Sequence, residues 1–334
     1  MEPADSTDAL VPPSLLTLLD GALDYRGLFP PTELSLARAL RTYADHRDEP
    51  ESWMLSRFVL PVRQLPDLLP HRTLLLRGAP YPFSVLGTGG DDPDLFLERF
   101  VRDLDVIDEF DAEFGDQSQV DRMEVPLPDT LVGAEQSALE AFFEDVDRRL
   151  IQTGTAKLDL FFRVPLRRTV VPMLPALGAA VAEHNSRQAV PARSAMGLKI
   201  HCGGTAPDDV PSTQHLARLI TACRDAGIGF LAHTGLQHPL RHYDDGLDTE
   251  MHGFLNLFAA AALAAEHQLD AELVETILLE ETVSNFRFEK KSFFWRDLEA
   301  SLDGIRHARS ELALSFGSSS LEAPVDALRD LDVL

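Results

Sequence analysis

Cysteine is nearly absent from this chain: 334 residues hold two, Cys202 and Cys223. Two are too few for a disulfide scaffold or a cysteine-rich zinc centre. Lysine is almost as scarce, with only Lys157, Lys199, Lys290 and Lys291; the other bases are arginines. Positive charge as a whole is short, 54 acids against 30 bases giving a net charge of −24. Holding a polyphosphate backbone takes clustered Lys and Arg. No basic run exists here, so no nucleic-acid partner is expected. No apolar run reaches the ~18–20 residues that span a bilayer, so no membrane partner is expected either. The opening MEPADSTDALVPPS is acidic and lacks the basic start and apolar stretch of a signal peptide. A cytoplasmic location follows as the expectation. What is plentiful is apolar surface, 45% of residues, enough for a packed core.

Short apolar runs alternate with longer amphipathic ones. Strands are predicted at 22–28, 54–61, 82–88, 121–127, 157–165, 196–202, 228–234 and 285–289, rich in Val, Ile, Leu or Phe as buried strands are. Helices are predicted at 32–46, 93–110, 134–153, 169–184, 212–226 and 252–267. Others follow at 271–282 and near 296–314. Ser212 reads as an N-cap and Gly227 as a C-terminal stop. Eight alternations imply βαβ units, a parallel sheet and an α/β (β/α)8 barrel. No repeat or long linker divides the chain. The expectation is one barrel domain over 14–334 behind a mobile tail, 1–13, with a long loop after strand seven and an elaborated C-terminus. FRFEKKSFFW reads as strand eight or, instead, a hairpin.

Side chains alternate between the two faces of a strand, and in a barrel one face meets the helices while the other meets the lumen. Sorting by parity puts ionisable residues on the lumen side of six strands: Asp24 and Arg26, Arg57, Arg122 and Glu124, Asp159 and Arg163, Lys199 and His201, and His233. Buried ion pairs stabilise poorly once desolvation is counted. So dense a set points to chemistry more than to packing. Cys202 has the outward parity and reads as core.

Lys199 is the sharpest candidate, because burial depresses a lysine and leaves a nucleophilic amine. The bland alternative pairs it with Glu124 or Asp159. Glu124 and Asp24 are candidate acid/base groups, or else partners for Arg163 or Arg26. His201 and His233 are candidate proton shuttles. Arg57, Arg163 and Arg241 read as clamps for an anion, with charge balance as the alternative. His238 lies in the long polar loop 235–251, the kind that binds or covers ligands. Gly203 and Gly204 would let backbone N–H groups approach an anion. Gly89–Gly90 reads as a tight turn, and FGSSS at 316–320 as an anion nest or a pair of caps. No P-loop, dinucleotide fingerprint, HxH or HExxH is present, so no cofactor and no metal are expected.

GLKIHCGG, followed about thirty residues later by GFLAHTGL, resembles the strand-six and strand-seven motifs of deoxyribose-phosphate aldolase-type class I aldolases. The resemblance covers roughly 40 residues. In that family a lysine leading the first motif forms a Schiff base, and Lys199 matches it. A second lysine, which tunes the first, falls on Leu231 here. The chain also resembles a group of bacterial proteins with similar DYxGLFPP and MHGFLN segments, which implies no activity. The reading is a barrel enzyme, aldolase-like, with lyase chemistry on a small anionic carbonyl compound through a Schiff-base lysine. Two alternatives are a metal-assisted lyase or isomerase using Glu124, His201, His233 and Asp24, and an inactive barrel that binds small molecules. A homo-oligomer is compatible with each.

Overall fold

A computed structural model describes residues 11–76, 78–115, 118–155, 157–187 and 195–334. Eight parallel strands close into a barrel, and helices or helical turns follow them on the outside, a (β/α)8 architecture. The first seven strands are β1 (Leu23–Tyr25), β2 (Leu55–Pro61), β3 (Tyr81–Leu86), β4 (Ser118–Pro126), β5 (Asp159–Arg163), β6 (Met196–His201) and β7 (Phe230–His233). Each overlaps its predicted run.

The eighth strand is Ala313–Ser318. It closes the barrel between β7 and β1 and corrects the expected 285–289. FRFEKKSFFW forms a hairpin in which Phe286 faces Trp295 across antiparallel strands. A third strand, Leu298–Ser301, completes that separate sheet. The alternation in FRFE signals a strand truly, but pairing partners are not written in alternation. The eighth strand carries little sequence signal, because its lumen-facing positions are Ser315 and Gly317, which give no apolar pattern.

Between β7 and the eighth strand the chain also builds a small hairpin, His242–Asp244 with Thr249–Met251, and the helices Phe254–His267, Ala271–Leu278 and Leu302–Glu311. These are the long loop and the elaborated C-terminus. Of the expected tail, 1–10 lie outside the described residues. Pro13 already opens the helix Pro13–Leu19, where Ser14 exchanges hydrogen bonds with Glu289.

Local signals act where the sequence places them. Ser212 Oγ accepts the His215 N–H at 3.2 Å and caps Thr213–Ala226, and Gly227 ends that helix in a left-handed conformation. Asp92 caps the 22-residue helix Pro93–Phe114 in the same way, just after the Gly89–Gly90 turn. The packed core lies between strands and helices. Phe96, Phe142, Phe143 and Phe162 meet there with ring centroids 5.0–6.2 Å apart. Cys202 faces this layer and is fully buried.

Candidate active site

Strand parity sends Asp24, Arg122, Glu124, Lys199 and His233 into the lumen, each buried and each charged or polar. Such groups must satisfy one another. Arg122 Nη1 donates to Asp24 Oδ2 at 2.9 Å, and Ser315 Oγ donates to the same oxygen at 2.5 Å. Ser84 Oγ donates to Glu124 Oε1 at 2.7 Å. Lys199 Nζ donates to Glu124 Oε2, and Arg26 reaches that oxygen at 4.0 Å. His233 bridges the two carboxylates, its Nε2 lying 3.2 Å from Asp24 and its Nδ1 3.3 Å from Glu124. Arg26 Nη1 sits 2.9 Å from the same Nδ1. A guanidinium can only donate, so this contact favours the tautomer with its proton on Nε2, directed at Asp24. Gly317 makes room for the cluster: a Cβ there would lie 2.4 Å from Arg26 Cδ and 3.1 Å from the His233 ring.

Electrostatics follow from this geometry. Burial alone would raise both carboxyls. The Arg122 guanidinium and the His233 contact override it at Asp24, which sits well below the usual carboxylate range. At Glu124, Lys199 leads the neighbours that hold it well below that range, with Arg26 adding to it. Burial lowers Lys199 strongly, Glu124 restores part of the loss, and the amine comes to about 8. His201 is pushed down to about 2 by burial and by Lys199, Arg26 and Arg163 nearby. It is a neutral imidazole, fit to give or accept hydrogen bonds and poorly suited to act as a base.

At the C-terminal ends of the strands a cavity of about 280 Å³ opens over this cluster. Lys199, Glu124, His201, Arg163 and Arg26 line it, with Phe29, Leu86 and Thr88 as walls. Sequence parity thus brings four of the expected site residues, Lys199, Glu124, His201 and Arg163, to one cavity. Asp24 and His233 are fully buried and do not line it.

The remaining candidates stand elsewhere. Arg57 is toward the N-terminal end of the barrel, where its guanidinium grips Asp121 at 2.7 and 2.8 Å. It does not approach the cavity, because its place three residues into β2 puts it at the foot of the strand. Arg241, in the loop after β7, pairs with Glu250 of that loop at 3.5 Å and with Glu281, beyond the helix Ala271–Leu278, at 3.3 Å. His238 stacks on His242 with centroids 4.1 Å apart and lines a neighbouring cavity of about 580 Å³, together with Arg26, Phe29 and Gly204. Gly203 and Gly204 border a third cavity, of about 600 Å³. There the Thr205 and Ala206 N–H groups, which an anion could have used, already donate to the Asp209 carboxylate at 2.9 and 3.0 Å.

Glu124, His201, His233 and Asp24 do not converge as a ligand set. Among the described residues, the one group of three or more donors close enough to share an ion is His46, Glu49 and Glu322, which touches none of these cavities. Arg26 was legible in the sequence as a lumen residue, yet nothing marked it as a cavity wall. Arg167 and Arg168, in a loop without periodicity, line the 600 Å³ cavity. The doublet in RVPLRR, directly after a strand, was the signal that could have found them.

No family model matches this chain, and no curated protein matches it. Among solved structures it is similar to one titled "Unique tetrameric structure of deoxyribose phosphate aldolase from Aeropyrum pernix". Identity is 11%, coverage 95% of this chain and 93% of that one, and the TM-score 0.47.

Proposed function

We propose that this barrel is a class I aldolase-like lyase acting on a small anionic carbonyl compound through an imine at Lys199. The observation that carries the reading is a lysine only 3% exposed that lines a cavity, touches a carboxylate and has its amine lowered to about 8. A free amine is then accessible near neutral pH.

Lys199, its amine lowered to about 8, loses its proton to solvent and becomes neutral. The neutral nitrogen attacks the carbonyl carbon. The oxygen takes a proton and leaves as water, giving a protonated imine. That imine draws the electrons of the neighbouring carbon–carbon bond while the distal hydroxyl surrenders its proton to a base, releasing one carbonyl fragment. The enamine left on Lys199 takes a proton at carbon, and water hydrolyses it to free the second fragment and the lysine. Water lost in the first half is regained in the last. Glu124 is the base in reach. His201 orients the oxygen, and Arg163 holds the anionic group.

The test is incubation with small keto acids and sugar phosphates, reduction with borohydride, and mass measurement. An adduct on Lys199 that vanishes in Lys199→Arg supports the proposal, since arginine keeps the charge but forms no imine. No adduct with any carbonyl compound overturns it. The Lys199–Glu124 ion pair itself favours a second reading, in which the amine is structural and the cavity only binds.

A further inference from the structure

We infer that the 600 Å³ cavity beside Lys199 is an anion subsite that takes the phosphate or carboxylate end of a ligand whose carbonyl lies in the inner cavity; the carbonyl half rests on the imine reading. Three guanidiniums, Arg163, Arg167 and Arg168, line this space. Among the described residues none of the three has an acidic or hydrogen-bonding side-chain partner. Elsewhere in the fold arginine is commonly engaged: Arg57 by Asp121, Arg122 by Asp24, Arg241 by Glu250 and Glu281. In a chain with net charge −24, three unpaired cations on one concave surface make a local reversal of sign.

A second feature points the same way. Ser212, the N-cap of the 14-residue helix Thr213–Ala226, lines the same space, so the positive end of that helix faces it. Two acids, Asp208 and Asp209, are also in the wall. Asp209 is turned toward the backbone of its own loop, while Asp208 makes no such contact; three guanidiniums still outnumber the two carboxylates in this wall. Arg163 and His201 line both the outer and the inner cavity, so the two spaces adjoin. A ligand that spans them carries its anionic group several bonds from the carbonyl. The acid end is read by forked guanidiniums, which match both phosphate and carboxylate.

Calorimetry with inorganic phosphate and, separately, succinate tests the subsite without any chemistry at Lys199. Saturable binding that weakens with salt is expected for at least one. Arg167→Gln combined with Arg168→Gln should weaken it at least tenfold. Both arginines are exposed, so the variant should unfold at the wild-type temperature. Asp208→Asn should tighten binding severalfold. Phosphate alone binding assigns a phosphate ester; succinate alone assigns a carboxylate. Absence of both, an unchanged affinity in the double variant, or weaker binding in Asp208→Asn overturns the proposal. Borohydride trapping then separates the two claims. The preference for 4-oxobutanoate over butanal should fall at least tenfold in the double variant if the acid seen is a carboxylate, and a phosphorylated aldehyde replaces it otherwise. Anion binding that persists in a protein which traps no aldehyde leaves the subsite standing and removes the imine reading.

Discussion

Lys199 and Glu124 define each other's state, and the consequences are measurable at single residues. The lysine sits at about 8 in the fold against an ordinary 10.5. The folded protein therefore binds fewer protons there than the unfolded chain between those values, and stability rises with pH across that window. The rise amounts to about 3 kcal/mol in full. Below pH 8 the cost of the buried ammonium is present in full. Urea unfolding of wild type and Lys199→Met from pH 7 to 10.5 should show the gap between them moving in the wild type's favour. The rate of borohydride trapping should climb over the same approach, with a midpoint near 8. Glu124→Gln removes the carboxylate that contacts the amine. It leaves Lys199 and Arg26 without their counter-charge, at a cost of about 3–5 kcal/mol. It should also move the midpoint of the trapping profile below 8, a shift that lost stability alone would not produce.

At the scale of elements, parity was the readable quantity. Every lumen residue assigned from alternation in β1, β4, β6 and β7 faces the lumen, because a one-residue slip would have driven a charge into the helix layer. Height along the strand was not readable from alternation, which is why Arg57 shares the parity of the site and stands at the far end. Loop residues were harder still. Arg167, Arg168 and Phe29 come to their cavities by the path of a βα connection, for which the sequence has no period. The eighth strand was hidden for a related reason, its lumen positions being Ser315 and Gly317. The second of these can be tested. Gly317→Ala puts a methyl group against Arg26 and His233, so about 1–3 kcal/mol of destabilisation is expected, with slower trapping as Arg26 shifts. A variant as stable as wild type in chemical denaturation would show that the cluster gives way freely.

For the whole molecule, charge makes the plainest statement. Net −24, with no basic run and with Arg163, Arg167 and Arg168 confined to one cavity wall, leaves no stripe for a nucleic-acid backbone. Neither duplex nor single strands should bind at physiological salt, and a clear mobility shift would contradict this. No helix among the described residues is long and apolar enough to cross a membrane. Barrel closure was legible from the count of alternations, whereas the segment that supplies the last strand was not, since closure is a property of the ends of the chain and not of any local run.

That closing strand sets the timetable of synthesis. β1 is only three residues long, and its partner on one side, Ala313–Ser318, leaves the ribosome nearly three hundred residues later. Until then Asp24 lacks the Ser315 hydroxyl, and Arg122 lacks the other half of its 3.1 Å contact with it. Until closure the nascent sheet is open along that seam, its charged residues already made and the Ser315 hydroxyl still missing. Such a sheet has every reason to stay loose, and little to gain from collapsing early onto wrong partners. A stalled chain ending at residue 312 should be cut readily by protease, and one ending at 334 should resist it.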